Sequence, residues 1–150
     1  MEKWEAMQIH FRINTRTLLL EGNITQINNL LEKLKREKVN LLRNDLVWTM
    51  KSSSIITAQK EDASVVGMAT LTYPRKLTAR FGTLEDVVVD EKYQHFGIAD
   101  ELIRIALELA KEARMRYVML TSSPEKVAAI ALYLKHGFKM GETDCYYKNL

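Results

Sequence analysis

Cysteine is nearly missing from this sequence. Cys145 is the only one, which excludes an internal disulfide and any metal site built from several thiolates. Histidine is sparse too: His10, His95 and His136 stand far apart without H-x-x-x-H spacing, so no zinc site is expected and no metal is assigned. No run of about 18 apolar residues occurs, which argues against a membrane span. The opening stretch MEKWEAMQIHFR carries Glu2 and Glu5 and no apolar h-region, against a secretory leader. A formal charge of +3, with acids and bases interleaved along the sequence, gives no reason to expect a nucleic-acid partner. What remains is a chain of 150 residues, 47% hydrophobic and 27% charged, of the size and composition of one globular domain. A cytoplasmic enzyme or binding protein is the expectation, spanning 1–150 as a single domain.

What the chain does contain is an alternation of strand-like and helix-like segments. Residues Met7 to Thr15 alternate as a strand, with Ile9, Phe11 and Ile13 on one face. Asn23 and Gln26 have the spacing of a capping box, which predicts a helix from Ile24 to about Glu37, and a second helix is expected from about Leu41 to Lys51. Ser54 to Lys60 and Ser64 to Tyr73 read as a hairpin turning at Glu61-Asp62-Ala63, closed by Pro74, with Phe81 to Val89 as the third strand of the meander. A helix then runs from near Gly97 to about Arg114, with Ile98, Leu102, Ile105 and Leu109 on one side. Tyr117 to Leu120 is a short strand, and the β-α-β order makes it parallel to Phe81 to Val89. Ser123 and Pro124 read as the N-cap and first position of a last helix that ends at Gly137. Phe138 to Met140 and Cys145 to Lys148 read as two further strands. The sum is an α/β fold with a mixed six- or seven-stranded sheet flanked by about four helices.

The candidate site lies where strand meets helix, in LEDVVVDEKYQHFGIAD from Leu84 to Asp100. The strand is apolar and β-branched apart from Glu85 and Asp86, so two carboxylates ride on an otherwise interior element. The spacing of Gln94, Gly97 and Ala99 places residues with little side chain where a helix exposes its first unpaired N–H groups. Such a turn suits an anion, ideally a diphosphate.

This segment resembles the acetyl-CoA-binding motif of the GNAT superfamily of N-acetyltransferases, Q/R-x-x-G-x-G/A after a hydrophobic strand. VAAIALYLKHGF resembles a second GNAT segment, N-x-x-A-x-x-L-Y-x-x-x-G-F, through Ala129, Leu132, Tyr133, Gly137 and Phe138. Together the two cover roughly Phe81 to Met140. Three departures stand out: His95 where glycine is commoner, Asp100 one position past the turn, and Lys126 in place of asparagine. Within the superfamily, the E-D-V-V-V strand is most similar to that of glucosamine-6-phosphate N-acetyltransferases.

The resemblance implies a GNAT-like acyl-CoA N-acyltransferase fold and direct transfer of an acetyl group from acetyl-CoA to a primary amine, without a covalent acetyl-enzyme. It implies that Gln94, His95, Phe96, Gly97, Ile98 and Ala99 form the phosphate turn, and that the Val87, Val88 and Val89 main chain meets the acetyl carbonyl and the pantetheine amides. Tyr133 becomes the general acid, since a phenol of pKa about 10 can return a proton to a departing thiolate; a ring packed on the sheet is its alternative use. Glu85 is the candidate base for an ammonium acceptor, and Asp86, expected on the opposite face, a positioning or structural group. Both carboxylates could instead satisfy loop amides. Tyr93 and His95 read as rim residues, Cys145 as a small, at least half-buried hydrophobe, Trp4 as lining the acceptor side, and Trp48 as packing in the core, with the acceptor side as its alternative. The acceptor is a small amine, an amino-sugar phosphate being favoured, or a peptide amine. A homodimer through the C-terminal strands fits the same resemblance. Readings of another class are a CoA-binding regulatory module without turnover and a purely structural interaction domain.

Overall fold

Alternating apolar residues and a two-sided core make a meander of the middle of the chain. The computed structural model describes residues 2–14 and 21–150, so Thr15, the expected end of the first strand, lies outside the described residues. Among the described residues five strands form one sheet in the order β1 (His10–Asn14), β2 (Ser53–Gln59), β3 (Val65–Thr72), β4 (Phe81–Val89) and β5 (Tyr117–Met119). The first four are antiparallel neighbours, and β5 joins β4 in parallel, as the β-α-β order requires. The described residues also form four α-helices along the chain: α1 (Glu21–Lys35), α2 (Arg43–Thr49), α3 (Ile98–Glu112) and α4 (Val127–Lys135).

Strand register decides which side chain faces which helix, because partners across a ladder share a face. Asn14, Ile55, Thr70 and Glu85 form one such row, and Arg12, Thr57, Met68 and Val88 the next. On this face Ile55, Val65 and Met68 pack with Ile24, Ile27, Leu30 and Leu31 of α1, with Leu46 of α2 and with Met50 just after it. Ile56, Ala69, Leu71, Leu84 and Val89 belong to the other face, against which α3 buries Ile98, Leu102, Ile103 and Ala106. Each such Leu or Ile contributes roughly 1.5–3 kcal/mol by leaving water. Gly67 lets α3 approach: a Cβ there would stand 3.2 Å from the Val88 carbonyl oxygen and 3.3 Å from Ile98 Cγ2.

Several expected boundaries move. Asn23 lies inside α1 and is no N-cap; its amide donates to the Ala63 carbonyl at 2.9 Å, while Gln26 Oε1 accepts from the Val65 N–H at 2.6 Å. The pair that resembled a capping box therefore ties α1 to the β2–β3 turn. Asn28 brackets Leu41 in the same way, accepting from its N–H at 2.8 Å and donating to its carbonyl at 3.2 Å, which fixes the α1–α2 connection. The last helix begins at Val127 after Lys126, so neither Ser123 nor Pro124 caps or opens it. Phe138 to Met140 and Cys145 to Lys148 are not strands, which gives five strands where six or seven were expected. The described chain divides into two compact units, Met1–Leu120 and Thr121–Leu150. No helix is long and apolar enough to cross a membrane among the described residues.

Candidate active site

In the first unit, the chemistry-bearing strand is interrupted at the carboxylates. Thr70 pairs with Glu85 and Met68 with Val88, so Asp86 and Val87 together oppose the single residue Ala69. This is a β-bulge, and Asp86 occupies the left-handed region at φ 53°, a conformation that aspartate tolerates better than most residues. The extra residue breaks strict alternation: Glu85 and Val88, three positions apart, share the face that α1 covers. The expectation that Glu85 and Asp86 simply point to opposite faces is replaced by this bulge. Glu85 is exposed, whereas its partner Thr70 is buried. Next to them runs a row of hydroxyls, Thr83, Thr72 and Ser53, in which Ser53 Oγ donates to Thr72 Oγ1 at 3.1 Å.

A second feature of β4 is its separation from β5. The parallel ladder pairs Phe81, Gly82 and Thr83 with Tyr117, Val118 and Met119 and goes no further among the described residues. Among the described residues the β5 side of β4 has no strand partner beyond Thr83, so the main chain of Val87 to Val89 makes no ladder bonds on that side.

The strand then enters the turn through Asp90. Its N–H donates to the Val66 carbonyl at 2.8 Å, and its carboxylate accepts from the Lys92 N–H at 3.0 Å and from Lys33 Nζ of α1 at 2.9 Å. Lys33 and the Lys92 amide hold the Asp90 carboxyl below the usual carboxylate range. After a single 3-10 turn at Glu91–Tyr93, Gln94 folds back so that Nε2 donates to the Val89 carbonyl at 3.1 Å. Two left-handed residues follow, His95 at φ 65° and Gly97 at φ 84°, and Gly97 is the N-cap of α3 with no side chain to satisfy the helix start. The Ile98 and Ala99 N–H groups, at the start of α3, have no acceptor within the helix, an arrangement that suits an anion. His95 is exposed and Tyr93 half-buried. Asp100 and Glu101 stand in the first turn, where the helix dipole favours them; Glu101 accepts from Arg104 Nε at 2.7 Å.

The N-terminal residues approach the same turn. A Cβ on Gly97 would lie 3.5 Å from Trp4 Cδ1 and 3.6 Å from Glu2 Oε2. Trp4 packs edge-on against Phe11 of β1, with ring centroids 5.0 Å apart. The expected place of Trp4 on the acceptor side is thus corrected to the turn. Trp48 is 68% exposed, with Lys51 Nζ 3.5 Å from its ring centroid, so it does not pack in the core.

In the second unit, Tyr133 sits on α4 with its ring edge-on to Phe138 at 6.0 Å. Gly137, at φ 83°, follows the helix end as expected. Cys145 is exposed and not the half-buried hydrophobe expected of it. Among the described residues no three His, Cys, Asp or Glu side chains converge as metal ligands would.

Glu85, Asp86, Val87 to Val89 and Gln94 to Ala99 are thus brought together on one strand and the turn it feeds, and Tyr133 stands on the helix of the second unit. Sequence reasoning missed the bulge, the hydroxyl row, the Lys33–Asp90 pair and the approach of Glu2 and Trp4. Only the bulge had a local sign, an aspartate inside a β-branched run; the other contacts join residues far apart in sequence.

No curated protein sequence matches this chain. Solved structures share its fold. An acetyltransferase from Trypanosoma brucei is 24% identical, with a TM-score of 0.78 over 94% of this chain and 99% of that one. An aminoglycoside acetyltransferase from an uncultured soil metagenomic sample is 17% identical, with a TM-score of 0.78 over 95% and 97%. The glucosamine-6-phosphate N-acetyltransferase of Arabidopsis thaliana is 15% identical, with a TM-score of 0.68 over 93% and 98%. The sequence model of the acetyltransferase (GNAT) family matches residues 24–138, which hold the bulged strand, the turn and Tyr133. On that match the chain belongs to the GNAT family of acetyltransferases, enzymes that carry an acetyl group from acetyl-CoA to an amine.

Proposed function

We propose that the chain acetylates a small, hydroxylated primary amine, with an amino-sugar phosphate as the leading candidate. The observation that carries this is the exposed Glu85 beside the half-buried Thr83 and Thr72 hydroxyls on one face of the sheet. A carboxylate attracts an ammonium group, and hydroxyls on the same surface match the hydroxyls of a sugar. The likeness of the E-D-V-V-V strand to glucosamine-6-phosphate N-acetyltransferases points the same way.

The division of labour follows from the chemistry. The turn from Gln94 to Ala99 holds the diphosphate of acetyl-CoA through the main-chain N–H groups at the start of α3. Main-chain groups on the open edge of Val87 to Val89 bind the pantetheine arm and polarise the acetyl carbonyl. An alkylammonium group has a pKa near 10 and cannot attack until it loses a proton, which Glu85 accepts directly or through water. The free amine adds to the carbonyl, and the tetrahedral intermediate collapses with expulsion of the CoA thiolate, to which Tyr133 delivers a proton. Asp86 shapes the bulge that aims these groups.

Thiol release from acetyl-CoA across a panel of amines tests the assignment: glucosamine 6-phosphate, glucosamine, an aminoglycoside, a polyamine and a peptide with a free N-terminus. Turnover is expected to be fastest with the amino-sugar phosphate. Glu85→Gln and Tyr133→Phe should each lower kcat by about 10²–10⁴-fold, with CoA affinity changed little. A peptide preferred over every sugar would overturn the acceptor class, and an unchanged kcat in Tyr133→Phe would remove the general-acid role. CoA binding without thiol release from any amine would favour a regulatory module, and no CoA binding at all a purely structural domain.

A further inference from the structure

The basic residues look dispersed along the sequence, yet the fold gathers five at one end of the first unit. Arg75, Lys76 and Arg80 stand on the β3–β4 connection, and Arg114 and Arg116 on the α3–β5 connection; all five are exposed. Main-chain bonds join the two connections. The Arg116 N–H donates to the Arg80 carbonyl at 2.9 Å, and Arg75 faces Arg80 across an isolated antiparallel bridge. No acid occurs between Tyr73 and Phe81 or between Ala113 and Tyr117; Glu112, at the end of α3, is the carboxylate that borders them. None of the five side chains forms an ion pair with a described residue. Like charges crowded in this way repel one another in the free protein, and an anionic partner relieves that repulsion.

We propose that this end of the first unit is a docking surface for an acidic peptide segment of a partner protein. Four of the five cations are arginines, whose planar guanidinium groups pair bidentately with carboxylates. Leu77, fully exposed at the tip of the β3–β4 connection, gives the surface one apolar contact. RNA fits less well, because it is held by stacking its bases on free aromatic rings. Here Phe81 and Tyr117 stack on each other at 5.3 Å, and Lys76 Nζ lies 4.6 Å from the Phe81 ring centroid. An anionic membrane asks for a broad apolar face, which a single leucine does not supply. The nine residues of β4 separate this end from the acetyl-CoA turn by roughly 26 Å, so it serves to tether a partner and not to bind acetyl-CoA. The inference is independent of the acceptor proposed above.

Fluorescence anisotropy can test it with a labelled peptide of glutamates bearing leucine at every fourth position. A single-stranded RNA oligonucleotide of the same charge and vesicles of phosphatidylserine with phosphatidylcholine serve as the competing classes. The peptide is expected to bind more tightly than either, and more weakly as salt rises. Replacing Arg75, Arg80 and Arg116 together by Gln should weaken it about tenfold or more while CoA affinity stays unchanged. Leu77→Ser should weaken this peptide but not its all-glutamate version. Thermal melting checks folding, and Arg80→Gln alone gives the same reading in milder form should the triple variant melt lower. Peptide affinity unaffected by these substitutions, or tighter binding to RNA or vesicles, overturns the proposal.

Discussion

At the scale of the residue, Asp86 combines a carboxylate with a backbone few residues accept. Its φ of 53° lies in the left-handed region, which costs a β-branched residue at least about 1–2 kcal/mol and glycine nothing. Asp86→Val is therefore expected to destabilise the protein by about 1–2 kcal/mol in urea unfolding, while Asp86→Gly stays within about 1 kcal/mol of the parent. Equal losses in the two variants would show that the carboxylate, and not the bulge, is what matters here. Glu2 makes a second case. Its Oε2 lies beside Gly97, where the turn would meet a diphosphate, so carboxylate and phosphate repel each other. Glu2→Gln should tighten CoA binding a few-fold, the scale of an exposed charge contact. Calorimetric titration reads this directly, and weaker binding in the variant would mean that Glu2 supports the turn.

Elements were legible where one stretch of chain holds all the forces that shape it. The β-branched run from Leu84 to Val89 and the apolar stripe of α3 predict β4 and α3 closely, because burial on one or both faces leaves a periodic trace. Asn23 and Gln26 misled because the same side chains that cap a helix can equally bond a distant backbone, here Ala63 and Val65. Ser123-Pro124 misled for a related reason: a capping residue marks where a helix can start, and α4 starts three residues later. The bulge escaped because one aspartate can sit in a strand regularly or irregularly, and only the register with β3 tells which. The fit of α3 on the sheet is equally invisible locally, and Gly67 is where it can be tested. Gly67→Ala would crowd the Val88 carbonyl and Ile98, one main-chain and one buried side-chain neighbour with little room to yield. The cost is expected at about 1–3 kcal/mol, with CoA affinity falling too as the start of α3 lifts from β3. Loss of stability with unchanged CoA affinity would separate that packing from the turn.

For the molecule as a whole, the fold class and the strand, turn and helix that carry the candidate site were legible in the sequence, since both rest on local periodicity and on two short motifs. The sequence did not yield the charge map, because Arg80 and Arg116 or Lys33 and Asp90 meet only after the chain has folded. That map sets how stability responds to acid. The Asp90 carboxyl is held low by Lys33 and the Lys92 N–H, and the Asp62 carboxyl by the Ser64 hydroxyl and N–H and by Lys60. A carboxylate whose pKa is depressed by folding binds fewer protons in the folded state than in the unfolded one. Its contribution is complete above the unfolded value of about 4 and disappears as pH falls through the depressed folded value. Melting temperature should therefore hold steady from neutral pH to about 5 and drop below about 4. Lys33→Met isolates one contribution from the carboxylates common to both proteins. Without Lys33 the Asp90 pKa returns toward its ordinary value, so the variant is less stable near neutral pH but loses less on acidification, and the two melting curves converge at low pH. Curves that stay parallel down to the acid limit would mean that Lys33 stabilises the end of β4 through packing alone and that its charge has no part in holding the turn.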